Sequence, residues 1–119
     1  MKCNVEYTNE FGSWWNSLSE DEKEDVAAIV GLLEEKGAGL PFPFSSGIEG
    51  SNYPRMRELR VQSKTNPLRI LYAFDPRRTA ILLIAGNKRG DKRWYKKYVP
   101  IADKLYADHL IELKKEGLL

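Results

Sequence analysis

Apolar side chains change their period twice along this chain, from alternate positions to helical spacing and back. Val5 and Tyr7 alternate with Lys2, Asn4 and Glu6, which predicts a short first strand. Phe11, Trp14, Trp15 and Leu18 then fall at helical spacing, with Thr8 or Asn9 as the cap. Ser19 and Glu22 form a capping box for a second helix. Its apolar stripe is Val26, Ile29, Val30 and Leu33, and acidic residues fill the first turn, where the helix dipole favours them. Gly37 after Lys36 reads as its stop. From Gly37 to Pro54 periodicity fails, and prolines, glycines and serines predict a long loop, pinned to the core by Leu40, Phe42 and Phe44.

Alternation returns after Pro54. Residues 57–62 place Leu59 and Val61 on one face and Glu58 and Arg60 on the other. Residues 68–74 set Ile70, Tyr72 and Phe74 against Arg69, Leu71 and Ala73. Thr79 to Ala85 is almost wholly apolar, as in a strand buried on both faces. Turns fall at residues 63–67 and 75–78, and Gly86 to Gly90 ends the third strand. Asp91 is placed to cap a short helical piece through Trp94 and Tyr95. Pro100 suits the first turn of a last helix with Ile101, Leu105, Leu110 and Leu113 on its apolar stripe, ending at Gly117. The order β-α-α-β-β-β-α predicts an α+β fold, an antiparallel meander sheet packed against helices, with residues 1–119 forming a single domain.

Charge sharpens this picture. Residues 1–54 carry 3 basic and 10 acidic side chains, whereas residues 55–97 carry 13 basic and 3 acidic, so a net charge of only +2 conceals a strongly basic middle segment. Such segregation points to a polyanionic partner; the alternative is a solvated surface with accidental clustering. Arg60 and Arg69 both oppose the main apolar stripe and would share one surface across adjacent strands. Lys88 and Arg89 leave the third strand, and Tyr95 follows within two turns. Cations that hold phosphates beside a ring that stacks bases suit single-stranded RNA.

The remaining composition excludes several classes. One cysteine, Cys3, permits no internal disulfide, and one histidine, His109, builds no histidine-rich metal site, so neither a metal nor a small-molecule cofactor is expected. His109 reads as structural. No apolar run nears the roughly 18–20 residues that cross a bilayer, and the N-terminus lacks a signal-peptide core, which predicts a cytoplasmic protein without a membrane partner. RNA can still be cut without metal, because its own 2′-hydroxyl attacks the adjacent phosphate. Lysine or tyrosine would then move the protons, with pKa values shifted by neighbouring cations.

Three stretches carry a family resemblance: Met56-Arg57-Glu58-Leu59-Arg60-Val61; Leu68-Arg69-Ile70-Leu71-Tyr72-Ala73-Phe74-Asp75-Pro76-Arg77-Arg78; and Leu82-Leu83-Ile84-Ala85-Gly86-Asn87-Lys88. They resemble successive strands of RelE/HigB-type toxins, and more closely the phage-derived HigB-like branch, as do Trp94-Tyr95 and Pro100-Ile101-Ala102-Asp103. The resemblance implies a small RelE-like fold and the toxin of a type II toxin–antitoxin pair. Its partners would be mRNA, the ribosome and a cognate helix-turn-helix antitoxin, and its activity ribosome-dependent mRNA cleavage as a metal-independent endoribonuclease. It implies that Arg69 holds the scissile phosphate, with Lys88 and Tyr95 as the other candidate catalytic residues. Arg57, Arg60, Arg89, Lys92 and Arg93 are the candidate RNA-binding residues. The branch often has Asp where Asn87 stands, and the helix after Tyr98 is longer than in the smallest toxins. A ParE-like gyrase-targeting toxin and a non-catalytic RNA-binding phage-derived protein are the alternatives, because fold alone does not fix function.

Overall fold

The computed structural model describes residues 1–119. Strand β1 (Val5–Tyr7) leads into helices α1 (Asn9–Asn16) and α2 (Glu20–Lys36). A single 3-10 turn (Gly37–Gly39) precedes β2 (Ser45–Gly47). Strands β3 (Arg57–Ser63), β4 (Asn66–Phe74) and β5 (Ala80–Asn87) follow, and helix α3 (Trp94–Lys115) closes the chain. The sheet runs β1-β5-β4-β3-β2. The meander β3-β4-β5 is antiparallel, β2 adds to it antiparallel at one edge, and β1 pairs parallel with β5 at the other.

Local signals placed the first helices. Thr8 caps α1 by accepting from the Phe11 N–H at 3.0 Å. Both hydrogen bonds of the Ser19–Glu22 capping box are present. The β3–β4 hairpin turns at Lys64, whose φ of +55° is the left-handed conformation that a two-residue turn requires.

Helices cover both faces of the sheet. On one face α1 and α2 pack Phe11, Val26 and Leu33 against Leu59, Ile70 and Leu82. On the other, α3 packs Trp94, Val99 and Tyr106 against Met56, Leu71 and Leu83. Burial of these side chains is the main favourable term in folding. The face bearing the arginines is therefore not an open basic surface. An α3 with its own apolar stripe must bury it somewhere, and the Leu71, Ala73, Ile81 and Leu83 face receives it. No helix is long and apolar enough to cross a membrane.

Three expectations are corrected. Helix α3 is continuous from Trp94 through Pro100, because Trp94, Tyr98 and Val99 pack on the sheet before the proline and outweigh its cost to an interior helical position. Residues 45–47 form an edge strand that their Ser-Ser-Gly sequence does not announce. Leu40 is buried as expected, but Phe42 is 69% exposed and does not pin the loop to the core; Phe44 stands half-open at 36%.

Candidate functional site

Strand register assembles the site. Arg60 on β3 lies opposite Arg69 on β4, which lies opposite Gly86 on β5. The next row holds Glu58 and Leu71, on the same face. The β4–β5 register shifts between Leu71 and Tyr72, where Ile84 and Leu82 are the successive partners and Leu83 is left over. Such an irregularity re-aims the strand, and a one-residue slip turns every later side chain to the other face. Here it sets Gly86 in the row of the two arginines.

Gly86 earns its place by the absence of a side chain. A Cβ there would stand 2.8 Å from Trp94 Nε1 and 3.4 Å from the Tyr98 ring. The two rings stack on each other with centroids 4.6 Å apart, and they lie directly on the strand. This close approach seats the first turn of α3, and an ion pair between Lys97 and Asp91 at 2.9 Å staples it. Tyr95, next to Trp94, then reaches down to β3.

The centre of the cluster is Glu58, only 3% exposed. The Tyr95 hydroxyl donates to its Oε1 at 2.6 Å. Arg69 Nε stands 3.6 Å from that oxygen and Arg60 Nη1 3.5 Å from Oε2. Arg69 is almost fully enclosed; its Nη1 donates to the Leu68 carbonyl at 3.0 Å, while its Nε has no hydrogen-bond acceptor. Arg60 keeps a third of its side chain in solvent. The Lys88 ammonium sits 5.6 Å from the centre of the Tyr95 ring, a cation–π contact at the mouth. Burial first, and then the hydrogen bond to Glu58 and its charge, push the Tyr95 hydroxyl above its ordinary pKa; Arg69 opposes this more weakly. The neighbouring cation lowers the tyrosine's pKa as expected, but burial and Glu58 outweigh it, so the hydroxyl stays protonated.

Of the sequence-predicted residues, Arg60, Arg69, Lys88 and Tyr95 meet at this corner. Arg89 is exposed beside it, its Nη1 donating to Thr65 Oγ1 at 2.9 Å. Lys92 and Arg93 are exposed on the approach to α3. Arg57 does not join them. It alternates with Glu58, so it lies on the other face, where its Nε donates to Ser45 Oγ at 2.9 Å. That Ser45 hydroxyl lies 2.6 Å from the Tyr72 hydroxyl, which makes Arg57 part of a polar link between β2 and the meander. Alternation with Leu59 places Glu58 on the arginine face, where it pairs with Arg69 across the strands. Burial, which sequence does not state, turns it from a surface partner into the core of the site. No three His, Cys, Asp or Glu side chains converge anywhere as a metal site would require. The corner presents the Arg60 guanidinium, the Lys88 ammonium and a protonated phenol beside one buried carboxylate, with the Arg69 guanidinium enclosed behind them, a set of groups able to hold an anion.

Comparison with known proteins agrees with this architecture. Two solved structures share the fold. The RelE–RelB complex of the archaeon Pyrococcus horikoshii matches with a TM-score of 0.55 at 15% identity, covering 76% of this chain and 99% of the other. A mutant of E. coli toxin RelE in the free state matches at 0.54 and 13%, covering 79% and 92%. The fold class is thus RelE-like α+β. The chain belongs to the family described as phage derived protein Gp49-like (DUF891), whose pattern matches residues 13–107. Two Mycobacterium tuberculosis proteins bearing toxin names are similar in sequence. HigB2 is 40% identical over 104 residues, 86% of this chain, and HigB3 is 42% identical over 91 residues, 76% of this chain. This chain spans about half of HigB2, 52%, and 78% of HigB3.

Proposed function

We propose that this protein is the toxin of a type II toxin–antitoxin pair and inhibits translation by cutting mRNA on the ribosome, in the cytoplasm, without a metal ion. One observation carries the reading. Arg60, Arg69 and Tyr95, from β3, β4 and α3, meet around Glu58, and Lys88, just past β5, lies against the Tyr95 ring, at the corner of a segment with 13 basic and 3 acidic residues. Arg60 and Lys88, at the rim, grip the phosphate and neutralise the charge that grows as the 2′-hydroxyl attacks. Arg69 deepens the positive field from behind. The Tyr95 hydroxyl, oriented and kept protonated by Glu58, is the donor for the departing 5′-oxygen, while the attacking 2′-hydroxyl gives its proton to solvent water. Arg89, Lys92 and Arg93 extend the cationic surface along the RNA backbone and toward the ribosome. Similarity to HigB-named toxins and to a RelE solved with RelB supports an antitoxin partner, and a helix-turn-helix protein is the form expected. Such an antitoxin and this chain should co-purify at low salt.

Induced expression tests the proposal. Protein synthesis should stop and cut mRNA ends should accumulate, and Arg69→Ala should relieve both. Continued translation over intact mRNA overturns it. A second reading, RNA clamping without cleavage, is favoured by one observation: Arg69 is 5% exposed, and both it and Tyr95 turn inward on Glu58. Translation arrest with every mRNA intact would select that reading.

A further inference from the structure

The exposed ring of Phe42 has no role in the core. Large apolar side chains stand singly on many surfaces, but this one stands beside the phosphate-holding corner. The Arg60 guanidinium lies 5.4 Å from the centre of its ring and 3.5 Å from Glu58 Oε2. Arg60 thus contacts both a buried carboxylate and a largely exposed ring.

The segment that carries Phe42 is firmly held. Leu40 before it is buried at 4% exposure. The Pro41 carbonyl accepts from the N–H groups of Phe44 and Ser45 at 3.0 and 3.1 Å. The Phe44 carbonyl accepts from the Arg60 N–H at 2.9 Å, and residues 45–47 continue as β2 against β3. A ring on so fixed a segment loses little conformational freedom when something stacks on it.

We propose that Phe42 is a nucleobase platform for single-stranded RNA whose phosphate is held by Arg60. The inference rests on the reading of the corner as an RNA grip. Chemistry favours RNA over a protein partner here, because an exposed aromatic ring beside a partly exposed guanidinium offers a stacking surface for a base next to a cation for its phosphate. Every base has a π-face, so the platform tolerates sequence and favours purines for their larger overlap.

Anisotropy of fluorescein-labelled A6 and U6 ribonucleotides on the purified full chain tests this. Phe42→Ala should weaken A6 binding about ten-fold, as loss of one stacking partner does, and should leave the slope of log affinity against log salt unchanged. Phe42→Trp should restore or exceed wild-type affinity. Phe42→Leu, apolar but without a π-face, should stay weak. Arg60→Ala should lower the slope by about 0.7, the mark of one lost phosphate contact on a single strand. Unchanged affinity in Phe42→Ala, with wild type binding well, overturns the platform and leaves the RNA grip standing. The same holds if that variant loses only affinity for an antitoxin. No salt-dependent binding by wild type overturns both.

Discussion

Two buried carboxylates flank β4, and they are satisfied in opposite ways. Asp75, just beyond the end of the strand, is saturated. Its Oδ1 accepts from the backbone N–H of Arg77 at 2.9 Å and of Thr79 at 3.3 Å. Its Oδ2 accepts from Arg77 Nε at 3.0 Å and Nη2 at 2.7 Å, and His109 Nε2 lies 2.9 Å away. Arg77 continues to Glu6 at 2.8 Å, tying β1, the β4–β5 turn and α3 together. Glu58 accepts one hydrogen bond, from Tyr95, and its two arginines stand off at 3.5 and 3.6 Å. A closed network fixes structure. An open one leaves Arg60, with a third of its side chain in solvent, only loosely engaged by Glu58. On the function proposed above, similar residue types serve as a rivet at one place and a receptor at the other, and the number of made hydrogen bonds tells them apart.

Asp75→Ala should have the largest effect on stability. It leaves Arg77 and His109 around an emptied buried site and should cost about 3 kcal/mol, read as a lower urea midpoint. Burial raises the pKa of Asp75, but the hydrogen bonds from His109, Arg77 and Thr79 outweigh it and hold the group below its ordinary value. A depressed folded pKa adds stability that is full above the unfolded value and is lost as pH falls through the folded one. The wild type should therefore weaken below about pH 4, and Asp75→Ala should flatten that limb.

Glu58→Gln should cost less, about 2 kcal/mol, because glutamine still accepts from Tyr95 while Arg69 loses its counter-charge. It should reduce translation arrest far more than Asp75→Ala does, measured at a temperature where both variants stay folded. Equal stability costs with undiminished arrest would make Glu58 a second rivet and erase the contrast. The smallest stability change belongs to Lys88→Ala, within about 0.5 kcal/mol. It should nevertheless lower the salt slope of RNA binding by about 0.7, and an unchanged slope would remove Lys88 from the grip.

How far the site was legible in the sequence follows from where its information is stored. Arg60 and Arg69 could be placed on one face because alternation along each strand is local. Arg57 belongs to the same basic run, yet its odd position sends it to the other face. Burial is what a local pattern does not carry: apolarity predicts that Phe42 is enclosed, yet the β2 edge leaves it open, and α3 covers Glu58, a residue that alternation places but does not bury.

The sequence by itself determined the local elements: the capped helices α1 and α2, the strands of the meander, the tight turns and the segregation of positive charge. Each depends on neighbours within a few residues, where propensity and periodicity act. Tertiary structure alone decided the parallel pairing of β1 with β5, the register shift that brings Gly86 beside the arginines, and the seating of Tyr95 on Glu58. Those depend on surfaces far apart in the chain, which are matched only when the core closes and water leaves it.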